Sequence, residues 1–453
     1  MRLLSASRES MIGLDAAAEL AAYYTTRPRF FGLFLTACNL RVNRLAALRS
    51  AIGATRRSVL TRAAAPFDAG LRIPAQVLVE APTGAKHAAL LLPIAAELTE
   101  KGVSVAMAYH GRRSLEVIRS RFGGRHSSPF ELVELPDTAP RQFRHQLPSV
   151  TAYRRSLPWQ GFFGHAMALC ERDSDGCANM WKAVLRRSSV RMVVTTYPHT
   201  SWTNALLYAG RELGIQCVHV QQGLQQGYLA KMPNCTAAVV WSRVGSAYLE
   251  KDGFLGRPII IARNPSTPKP EVTETLRKKR RSGLGLAADD VCVLVLGQVS
   301  TEHVDYGDDY HRTCELMGRG LSIAVRSGRV VPFLRPHYRD LAGETDGILR
   351  QYALPKLLRS ESASLQEDIA AADVVLGMDT TAMEEAYLMG RPAVQAVAEG
   401  VVHIYDFGLL GIPVVRSQEE LARRLMDRGW IAELQQPPVL RSVAEEICGL
   451  LES

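Results

Sequence analysis

The sequence predicts an α/β protein with two doubly wound parallel sheets and a basic helical segment before them. Three observations support this fold class. Short apolar runs alternate with helical patterns along most of the chain, as βαβ units require. A proline-rich stretch at residues 264–270 divides this alternation into two halves. The 453 residues exceed the usual size of one hydrophobic core, so two domains are expected.

The first half starts near residue 75. Its predicted strands are the apolar runs 76–81, 103–109, 190–195, 215–221, 237–241 and 258–262, and its predicted helices are 88–101, 203–213 and 244–251. Gly102 and Gly214 follow two of these helices, where a C-terminal glycine is favoured. Residues 120–175 lack the alternation and are predicted to contain irregular loops.

The second half repeats the alternation. Its predicted strands are 291–296, 330–334, 374–376 and 392–397, and its predicted helices are 271–281, 310–326, 365–371, 381–389, 419–428 and 443–451. The predicted organisation is an appendage (1–74), a first α/β domain (75–263), a linker (264–270) and a second α/β domain (271–453). Ligands of such sheets bind beyond the carboxyl ends of the strands, so we expect a cleft between the domains to hold the site.

Composition narrows the class of protein. The eight cysteines are scattered without a CxxC pair, which favours reduced thiols in a cytoplasmic protein, although Cys170 and Cys177 are close enough in sequence to form a disulfide. No apolar run approaches the roughly 18 residues of a membrane span, and no signal-peptide core is present. The expectation is a cytoplasmic protein, at the inner face of the membrane if the appendage binds lipid.

The appendage is strongly basic. Residues 27–72 contain nine arginines and one acid, Asp68, beside many large apolar residues. This pattern suits a helix on an anionic membrane surface, and it equally suits a helix packed on the main body with its arginines in solvent. Nucleic acid is not expected as a partner, because the basic residues do not recur with a recognised module.

Candidate site residues occur first in the turn after the first predicted strand. Gly84 and Lys86 precede His87 where a helix begins, and backbone N–H groups there favour an anion. An imidazole with an ordinary pKa near 6.5 could serve as a general base. A histidine that only packs at the helix end is the alternative.

Amides end a later strand of the same half. Gln221, Gln222 and Gly223 would place uncharged hydrogen-bonding groups at the domain edge, where they suit a sugar or phosphate, and an ordinary glutamine-rich turn would look the same.

Two further segments lie in the second half. The strand 330–334 delivers Arg335 and His337, followed by Arg339, to its carboxyl end, where cations suit a phosphate.

The last segment starts a helix. Asp379, Thr380 and Thr381 can cap that helix or hold a phosphate, and Glu385 one turn later could accept hydrogen bonds from a ribose diol. A cluster of acids at 305, 308 and 309 also precedes a helix, where acids are expected for dipole reasons. We therefore expect no metal and no cofactor.

Together these segments resemble the GT-B superfamily of glycosyltransferases. Thr83 to Pro93 resembles the first glycine loop and helix, in which a histidine often serves as base, and His87 matches it. Residues 373–392 resemble the nucleotide-sugar segment of the C-terminal domain, in which Glu385 matches the ribose-binding acid. Arg335-Pro336-His337 is similar to the His-Pro motif of bacterial surface-polysaccharide transferases.

Two departures limit this resemblance. The turn at Gln221 is similar to the Gln-His-Gly turn of capsule-type enzymes, but Gln222 stands in place of histidine. Tyr338 replaces the proline that follows the His-Pro histidine. The resemblance covers roughly residues 75–400 and implies two Rossmann-like domains.

The implied activity is transfer of a sugar from a nucleotide sugar, with a UDP- or CMP-sugar expected, to a glycan or lipid-linked acceptor in surface-polysaccharide synthesis. One alternative is a UDP-GlcNAc 2-epimerase, which has paired acids like Glu384-Glu385. Its Gly-Thr-Arg-Pro-Glu signature is replaced here by residues 82–86. A silent scaffold with this fold is the other alternative.

Overall fold

The computed structural model describes residues 71–81, 85–121, 130–135, 178–198, 201–224, 232, 234–251, 253–268, 270–298, 307–337, 343–352, 354, 357–362, 364–401, 405–427, 429–433 and 437–452. The chain divides into two compact units. The first contains the described residues up to Val240, together with Ser246–Ala262 and Ser442–Ser453, and the second contains Trp241–Gly245 and Arg263–Arg441.

The first unit is built on a parallel sheet with the order β3-β2-β1-β4-β5-β6-β7. Its strands are β1 (Val77–Ala81), β2 (Val105–His110), β3 (Glu131–Leu135), β4 (Met192–Thr195), β5 (Gln216–Val220), β6 (Ala237–Val240) and β7 (Ile259–Ile261). Its helices are α1 (Ala85–Glu100), α2 (Gly111–Arg121), α3 (178–187), α4 (Ser201–Glu212) and α5 (Arg243–Lys251). The strand order reverses between β1 and β4.

Burial explains why the first sheet forms. Every residue of β1 is buried, as expected when helices cover both faces of a parallel sheet. Val77 pairs with Val105 of β2 on one side and with Met192 of β4 on the other. Trp181 of α3 and Phe254, both fully buried, belong to the same apolar cluster. The central strands therefore hold the carboxyl ends of β1 and β4 in a fixed position.

The second unit repeats this design with the order β10-β9-β8-β11-β12-β13, again parallel throughout. Its strands are β8 (Val291–Leu296), β9 (Val330–Arg335), β10 (Leu358–Arg359), β11 (Val374–Gly377), β12 (Ala393–Ala396) and β13 (Val414–Val415). Its helices are α6 (Pro270–Gly283), α7 (Gly307–Val325), α8 (Glu344–Arg350), α9 (Leu365–Ala371), α10 (Ala382–Leu388) and α11 (Gln418–Met426). Here the order reverses between β8 and β11.

The basic helix α6 packs against the second sheet through its arginines. Arg277 and Arg281 pair with Asp373 at 2.6 and 2.9 Å, and Arg277 also donates to the carbonyl of Ala372 at 2.8 Å. These guanidinium groups, together with the N–H of Cys292, hold the pKa of the Asp373 carboxyl below its ordinary value, although burial opposes them. The arginines of α6 therefore hold the N-terminal end of β11 in place.

One region departs from the prediction. The sequence predicted irregular loops from residue 120, but α2 runs from Gly111 to Arg121 and Glu131–Leu135 form the edge strand β3. Edge strands need only one buried face, and Glu131 is exposed while Val133 is buried. The charged positions of β3 conceal its apolar pattern. Residues 136–177, including Cys170 and Cys177, lie outside the described residues, as do residues 1–70 of the appendage.

The final helix also departs from the predicted organisation. We expected it in the second domain, but α12 (Val443–Glu452) belongs to the first unit. Lys101, which follows α1, lies 3.5 Å from Glu445. Arg191 and Gln216 donate to the carbonyls of Leu451 and Leu450 at 2.7 and 3.0 Å. These side chains satisfy carbonyls that a helix C-terminus leaves unpaired, which explains how α12 is held on the first unit.

The proline-rich stretch is an ordered turn at its start. The N–H of Ser266 donates to Asn264 Oδ1 at 2.9 Å, and the N–H of Thr267 donates to the Asn264 carbonyl at 3.0 Å. Pro270 is the first residue of α6, the helical position at which proline loses least. This stretch groups with the second unit.

The described cysteines are free thiols. Cys217, Cys235, Cys292 and Cys314 are buried, and Cys448 is half-buried. Burial raises the pKa of the Cys235 thiol to about 12 and that of the Cys292 thiol to about 12. These thiols remain protonated at neutral pH and serve as packing groups.

Candidate functional site

The strand orders define one candidate position in each unit. In doubly wound sheets, ligands bind beyond the carboxyl ends of the strands where the strand order reverses. This switch point lies between β1 and β4 in the first unit and between β8 and β11 in the second. The predicted site residues that the structure describes all follow strands of these two sheet edges or lie on the helices that begin there.

His87 lies at the first switch point. It occupies the first turn of α1, directly after β1, and only 6% of its surface is exposed. Its Nδ1 lies 2.8 Å from Oγ1 of Thr196, the residue that follows β4. The Tyr197 ring lies beside it, with 5.6 Å between ring centroids. The hydrogen bond thus joins the two strands at which the order reverses.

The environment makes His87 a weaker base than the sequence suggested. Burial lowers the pKa of His87 from 6.5 to about 4; the charge of Lys86 adds to this effect, and that of Glu80 opposes it. We expected an ordinary imidazole, whose pKa near 6.5 needs free access to water. The buried imidazole instead stays neutral at physiological pH, so one ring nitrogen carries a proton and the other a lone pair.

A buried carboxylate beneath this site was not singled out from the sequence. Glu80, on β1, is fully buried and accepts hydrogen bonds from Thr195 Oγ1 at 2.8 Å and from Thr203 Oγ1 at 3.0 Å. Buried carboxylates are rare unless they are hydrogen-bonded. The sequence feature that could have identified Glu80 is that it is the single acid inside an otherwise apolar strand.

The other predicted residues of the first unit lie along the same sheet edge. Lys86 is exposed beside His87. Gln221 is buried after β5, where its N–H continues the ladder by donating to the Val239 carbonyl at 2.8 Å. Gln222 and Gly223 are half-buried. Gly84 lies outside the described residues. Because β5 neighbours β4, the amides lie about two strand spacings, or roughly 10 Å, from β1.

The side chain of Arg335, at the end of β9, is fixed by an ion pair and by hydrogen bonds to two carbonyls. Its Nη1 is paired with the fully buried carboxylate of Asp368 and donates to the carbonyls of Ser362 and Ser364, both at 3.2 Å. Asp368 also accepts from Arg280 Nε at 3.0 Å. Two guanidinium groups thus share the Asp368 carboxylate, and cations at this strand end suit an anion.

Close packing positions His337 beside the second switch point. His337 is half-buried and follows β9. Gly297, after β8, donates its N–H to the Arg335 carbonyl at 2.8 Å. A Cβ at position 297 would lie 2.9 Å from the backbone nitrogen of His337 and 3.0 Å from the Arg335 carbonyl oxygen. Only glycine therefore allows the ends of β8 and β9 to approach this closely.

The segment after β11 separates into groups with different roles. Asp379 is buried, and its carboxylate accepts from Gln395 Nε2 at 3.0 Å and from the N–H of Tyr405 at 3.1 Å. Gln298, after β8, donates its Nε2 to the Asp379 carbonyl at 2.6 Å, across the switch point. Thr381 occupies the N-cap of α10 without a side-chain capping bond, and Thr380 Oγ1 accepts a long 3.4 Å bond from the N–H of Ala382. Capping therefore does not use the Thr381 hydroxyl.

The two acids of α10 differ in their surroundings. Glu385 accepts from Gln366 Nε2 at 3.0 Å, and burial raises its pKa above the ordinary value, opposed by Gln366 and by the charge of Arg335. Glu384 is nearly fully buried and is hydrogen-bonded to Ser242 Oγ within the second unit. Glu385 thus lies near the Arg335 cluster, whereas Glu384 is engaged elsewhere.

The described residues contain neither a metal-binding cluster nor a membrane-spanning helix. No group of three or more His, Cys, Asp or Glu side chains among them could hold a metal ion. None of the helices in these parts of the chain is both long and apolar enough to cross a membrane.

The fold is similar to that of solved nucleotide-sugar enzymes. No protein-family model and no curated protein matches the sequence. UDP-GlcNAc 2-epimerase from Neisseria meningitidis, bound to UDP-GlcNAc, aligns with a TM-score of 0.53 and 12% identity over 83% of this chain and 100% of that chain. UDP-GlcNAc 2-epimerase from Methanocaldococcus jannaschii aligns with a TM-score of 0.52 and 12% identity over 83% and 99% of the two chains.

A glycosyltransferase from Rickettsia africae also aligns, with a TM-score of 0.48 and 10% identity over 84% of this chain and 93% of that chain. Identities this low establish the fold alone. The two α/β domains of the predicted fold class are confirmed: the chain has two Rossmann-like domains of the GT-B type, and the predicted basic helical segment lies outside the described residues.

Proposed function

We propose that this protein is a glycosyltransferase that moves a sugar from a nucleotide sugar to a hydroxyl of a glycan or lipid-linked acceptor in bacterial surface-polysaccharide synthesis. The observation that carries the proposal is the chemistry at the two switch points. One holds a neutral imidazole with a hydrogen-bond partner, and the other holds a cationic cluster at the sheet edge where the hydroxyls of Thr380 and Thr381 also lie. Sugar transfer needs a base for the acceptor hydroxyl and cations for the donor phosphates, and these groups could supply both.

The donor is assigned to the second unit. Arg335 and His337 at the end of β9 would contact the donor phosphates, and the hydroxyls of Thr380 and Thr381 would donate to the same oxygens. Asp379 is held next to these threonines by hydrogen bonds from the side chains of Gln395 and Gln298. Glu385 would accept from the ribose hydroxyls. These protein groups neutralise the leaving phosphate, so the proposal includes no metal, and a UDP- or CMP-sugar is the expected donor.

The acceptor is assigned to the first unit. In the proposed inverting reaction, Nε2 of His87 takes the proton of the acceptor hydroxyl as the oxygen attacks the anomeric carbon. The bond between that carbon and the nucleotide phosphate breaks, and the leaving phosphate takes the electron pair. Gly84, Lys86 and the Gln221–Gly223 turn would contact the acceptor. A lipid-linked acceptor fits the basic segment 27–72, which we propose meets the inner face of the cytoplasmic membrane; residues 27–70 lie outside the described part of the chain.

Donor binding is the first test. A thermal-shift panel with UDP-, GDP-, CMP- and dTDP-sugars should give one selective increase in melting temperature, since a ligand at 100 times its Kd stabilises the fold by about 2.7 kcal/mol. The Arg335→Lys variant should lose most of this shift. No shift with any nucleotide sugar would favour a silent scaffold.

Turnover with the selected donor is the second test. His87→Ala should lower turnover by roughly 10²–10⁴-fold, while the thermal shift with the donor stays as in the unchanged protein. Thr99→Val, which removes a hydroxyl bond to Ala95 within the same helix, is the matched control and should keep full turnover. Unchanged turnover in His87→Ala would exclude His87 as the base.

A UDP-GlcNAc 2-epimerase is the second candidate, because such enzymes share this fold with TM-scores above 0.5. The replacement of the epimerase signature by residues 82–86 counts against it. The two reactions differ in their need for an acceptor. Conversion of UDP-GlcNAc to its 2-epimer without an acceptor would establish epimerisation, whereas nucleotide release that depends on an acceptor would establish transfer.

A further inference from the structure

The hydroxyl of Thr196 is the polar group that the structure places on the His87 ring. Thr196 follows β4, and His87 follows β1, so the two residues are separated by 109 positions in sequence but adjacent at the sheet edge. The distance from Thr196 Oγ1 to His87 Nδ1 is 2.8 Å, and the bond is buried. Such a bond can form in two ways, since a hydroxyl either accepts from an Nδ1–H group or donates to a bare Nδ1.

Each direction of this hydrogen bond gives Nε2 of His87 a different role. If Nδ1–H donates to Thr196, Nε2 carries a lone pair and can accept a proton. If Thr196 donates to Nδ1, Nε2 carries the proton and can only donate. The pKa of His87, which burial lowers to about 4, keeps the ring neutral at physiological pH, so the ring carries a single proton, on either Nδ1 or Nε2.

We propose that Thr196 is a positioning residue, whose Oγ1 accepts from Nδ1–H of His87 and so leaves the Nε2 lone pair free to take the acceptor proton. This proposal deepens the proposed function and rests on it for the identity of the proton donor. The tautomer itself is a property of the protein alone. Thr196 contacts no reacting atom and acts only through the imidazole.

The neighbouring groups are consistent with this arrangement. The two oxygens of Glu80 accept from Thr195 and Thr203 at 2.8 and 3.0 Å, whereas the group at hydrogen-bond distance from Nδ1 is Thr196 Oγ1. Lys86, next to His87 in the chain, bears only donors. The Tyr197 ring packs at a tilt of 43° to the imidazole and limits its rotation. Among the described residues, the Thr196 hydroxyl is the group at hydrogen-bond distance from Nδ1 of His87, so we assign the choice of tautomer to it.

The tautomer can be measured without any substrate. In protein labelled with ¹⁵N in its histidine rings, two-bond ¹H–¹⁵N correlation spectra distinguish Nδ1–H from Nε2–H imidazoles. The His87 signals are assigned by their loss in His87→Gln. We expect a neutral His87 with the proton on Nδ1. A proton on Nε2 in the unchanged protein would overturn the proposal, whatever the activity proves to be.

Variants at position 196 extend the test. Thr196→Val should shift His87 toward the Nε2–H form, and Thr196→Ser should retain the Nδ1–H form. Thr99→Val is the matched control and should leave the His87 signals unchanged. An unchanged tautomer in Thr196→Val would contradict the role of the hydroxyl. If Thr196→Val does not fold, Thr196→Ala is measured in its place.

Turnover supplies the second measurement. With the donor identified by thermal shift, Thr196→Val should lower kcat by roughly 10-fold to 100-fold, less than the full 10²–10⁴-fold contribution of a general base, with KM for the donor unchanged. Thr196→Ser should recover most of the loss. A variant with a shifted tautomer and full kcat would separate the two ideas: the tautomer assignment would stand, and His87 would not be the base.

Discussion

Arg335 and Asp368 form an ion pair in which the carboxylate is fully buried and the guanidinium remains partly exposed at the carboxyl end of β9. Asp368 also accepts from Arg280 Nε at 3.0 Å and from Ser360 Oγ at 2.5 Å. The carboxylate thus organises three donors, two of which are guanidinium groups. The pair orients the cation that the proposed function assigns to the donor phosphates.

Loss of the Asp368 charge should destabilise the second unit. Asp368→Asn leaves two partly buried guanidinium groups without a carboxylate, and breaking such a pair costs about 3–5 kcal/mol. Glu315→Gln is the control, because Glu315 and Arg319 form an exposed pair at 3.6 Å, and such pairs contribute at most about 1 kcal/mol. Urea unfolding measures both variants. Equal effects of the two substitutions would show that the Asp368 cluster is not energetically special.

Donor binding should depend on pH through Glu385. Burial raises the pKa of Glu385, so this carboxyl takes up a proton at a higher pH than an exposed glutamate. If its carboxylate accepts from the donor ribose, affinity is full above the raised pKa and falls as the pH decreases through it. Glu385→Gln should bind the donor more weakly and with little change over the same range. Calorimetric titration at several pH values tests this, and a pH-independent affinity in the unchanged protein would argue against the ribose contact.

The pH dependence of turnover should reflect the buried imidazole. The acidic limb of kcat/KM reports the pKa of the free enzyme's base, and burial lowers the pKa of His87 to about 4. We therefore expect the limb near pH 4. In Thr196→Asp a carboxylate replaces the hydroxyl beside Nδ1 and should raise the His87 pKa, which moves the limb to higher pH. A limb between pH 6 and 7 in the unchanged protein would indicate that another group is the base.

Folding stability should show the same titration. In the unfolded chain His87 has its ordinary pKa of 6.5, and in the folded protein the pKa is about 4. The unfolded state therefore binds more protons between these values, so the free energy of unfolding decreases as the pH falls through that window and is unaffected above it. His87→Gln should remove this part of the pH dependence. Chemical denaturation from pH 4 to pH 7 compares the two proteins, and parallel curves would show that His87 is not buried in its neutral form.

The sequence predicted the central strands well because each consists mostly of apolar residues. The strand β8 was predicted at Val291–Leu296, the bounds that the structure gives, and every residue in it is buried. The edge strand β3 was missed because Glu131 and Glu134 interrupt its apolar pattern. The position of α12 was also missed, since the contacts of Glu445 and Leu451 with the first unit come from residues far away in sequence.

The candidate site was predictable in position but not in its contacts. Parallel strands and the helices after them place His87 and Arg335 at sheet edges, and the sequence pattern contains that information. Their partners, Thr196 and Asp368, are separated from them by 109 and 33 positions. No local pattern connects such residues. The lowered pKa of His87 arises from burial by the completed fold, and a sequence alone does not give that burial.

The backbone approach at Gly297 leads to a final prediction. A Cβ at this position would meet backbone atoms of Arg335, Pro336 and His337 at 2.9 to 3.1 Å, distances at which the neighbouring backbone must move. Gly297→Ala should therefore displace the end of β9 and destabilise the protein by about 1–3 kcal/mol, the usual cost of overpacking.

The matched control is Gly347→Ala, because a Cβ at that position in α8 meets nothing within 4 Å. Alanine has a higher helix propensity than glycine, so this variant should be unchanged or slightly more stable. Thermal unfolding and donor titration measure both variants. Since β9 ends at Arg335 and is followed by His337, Gly297→Ala should also weaken donor binding, whereas Gly347→Ala should not. Retention of full stability and donor affinity in Gly297→Ala would show that the ends of β8 and β9 tolerate a wider spacing than the proposed donor site requires.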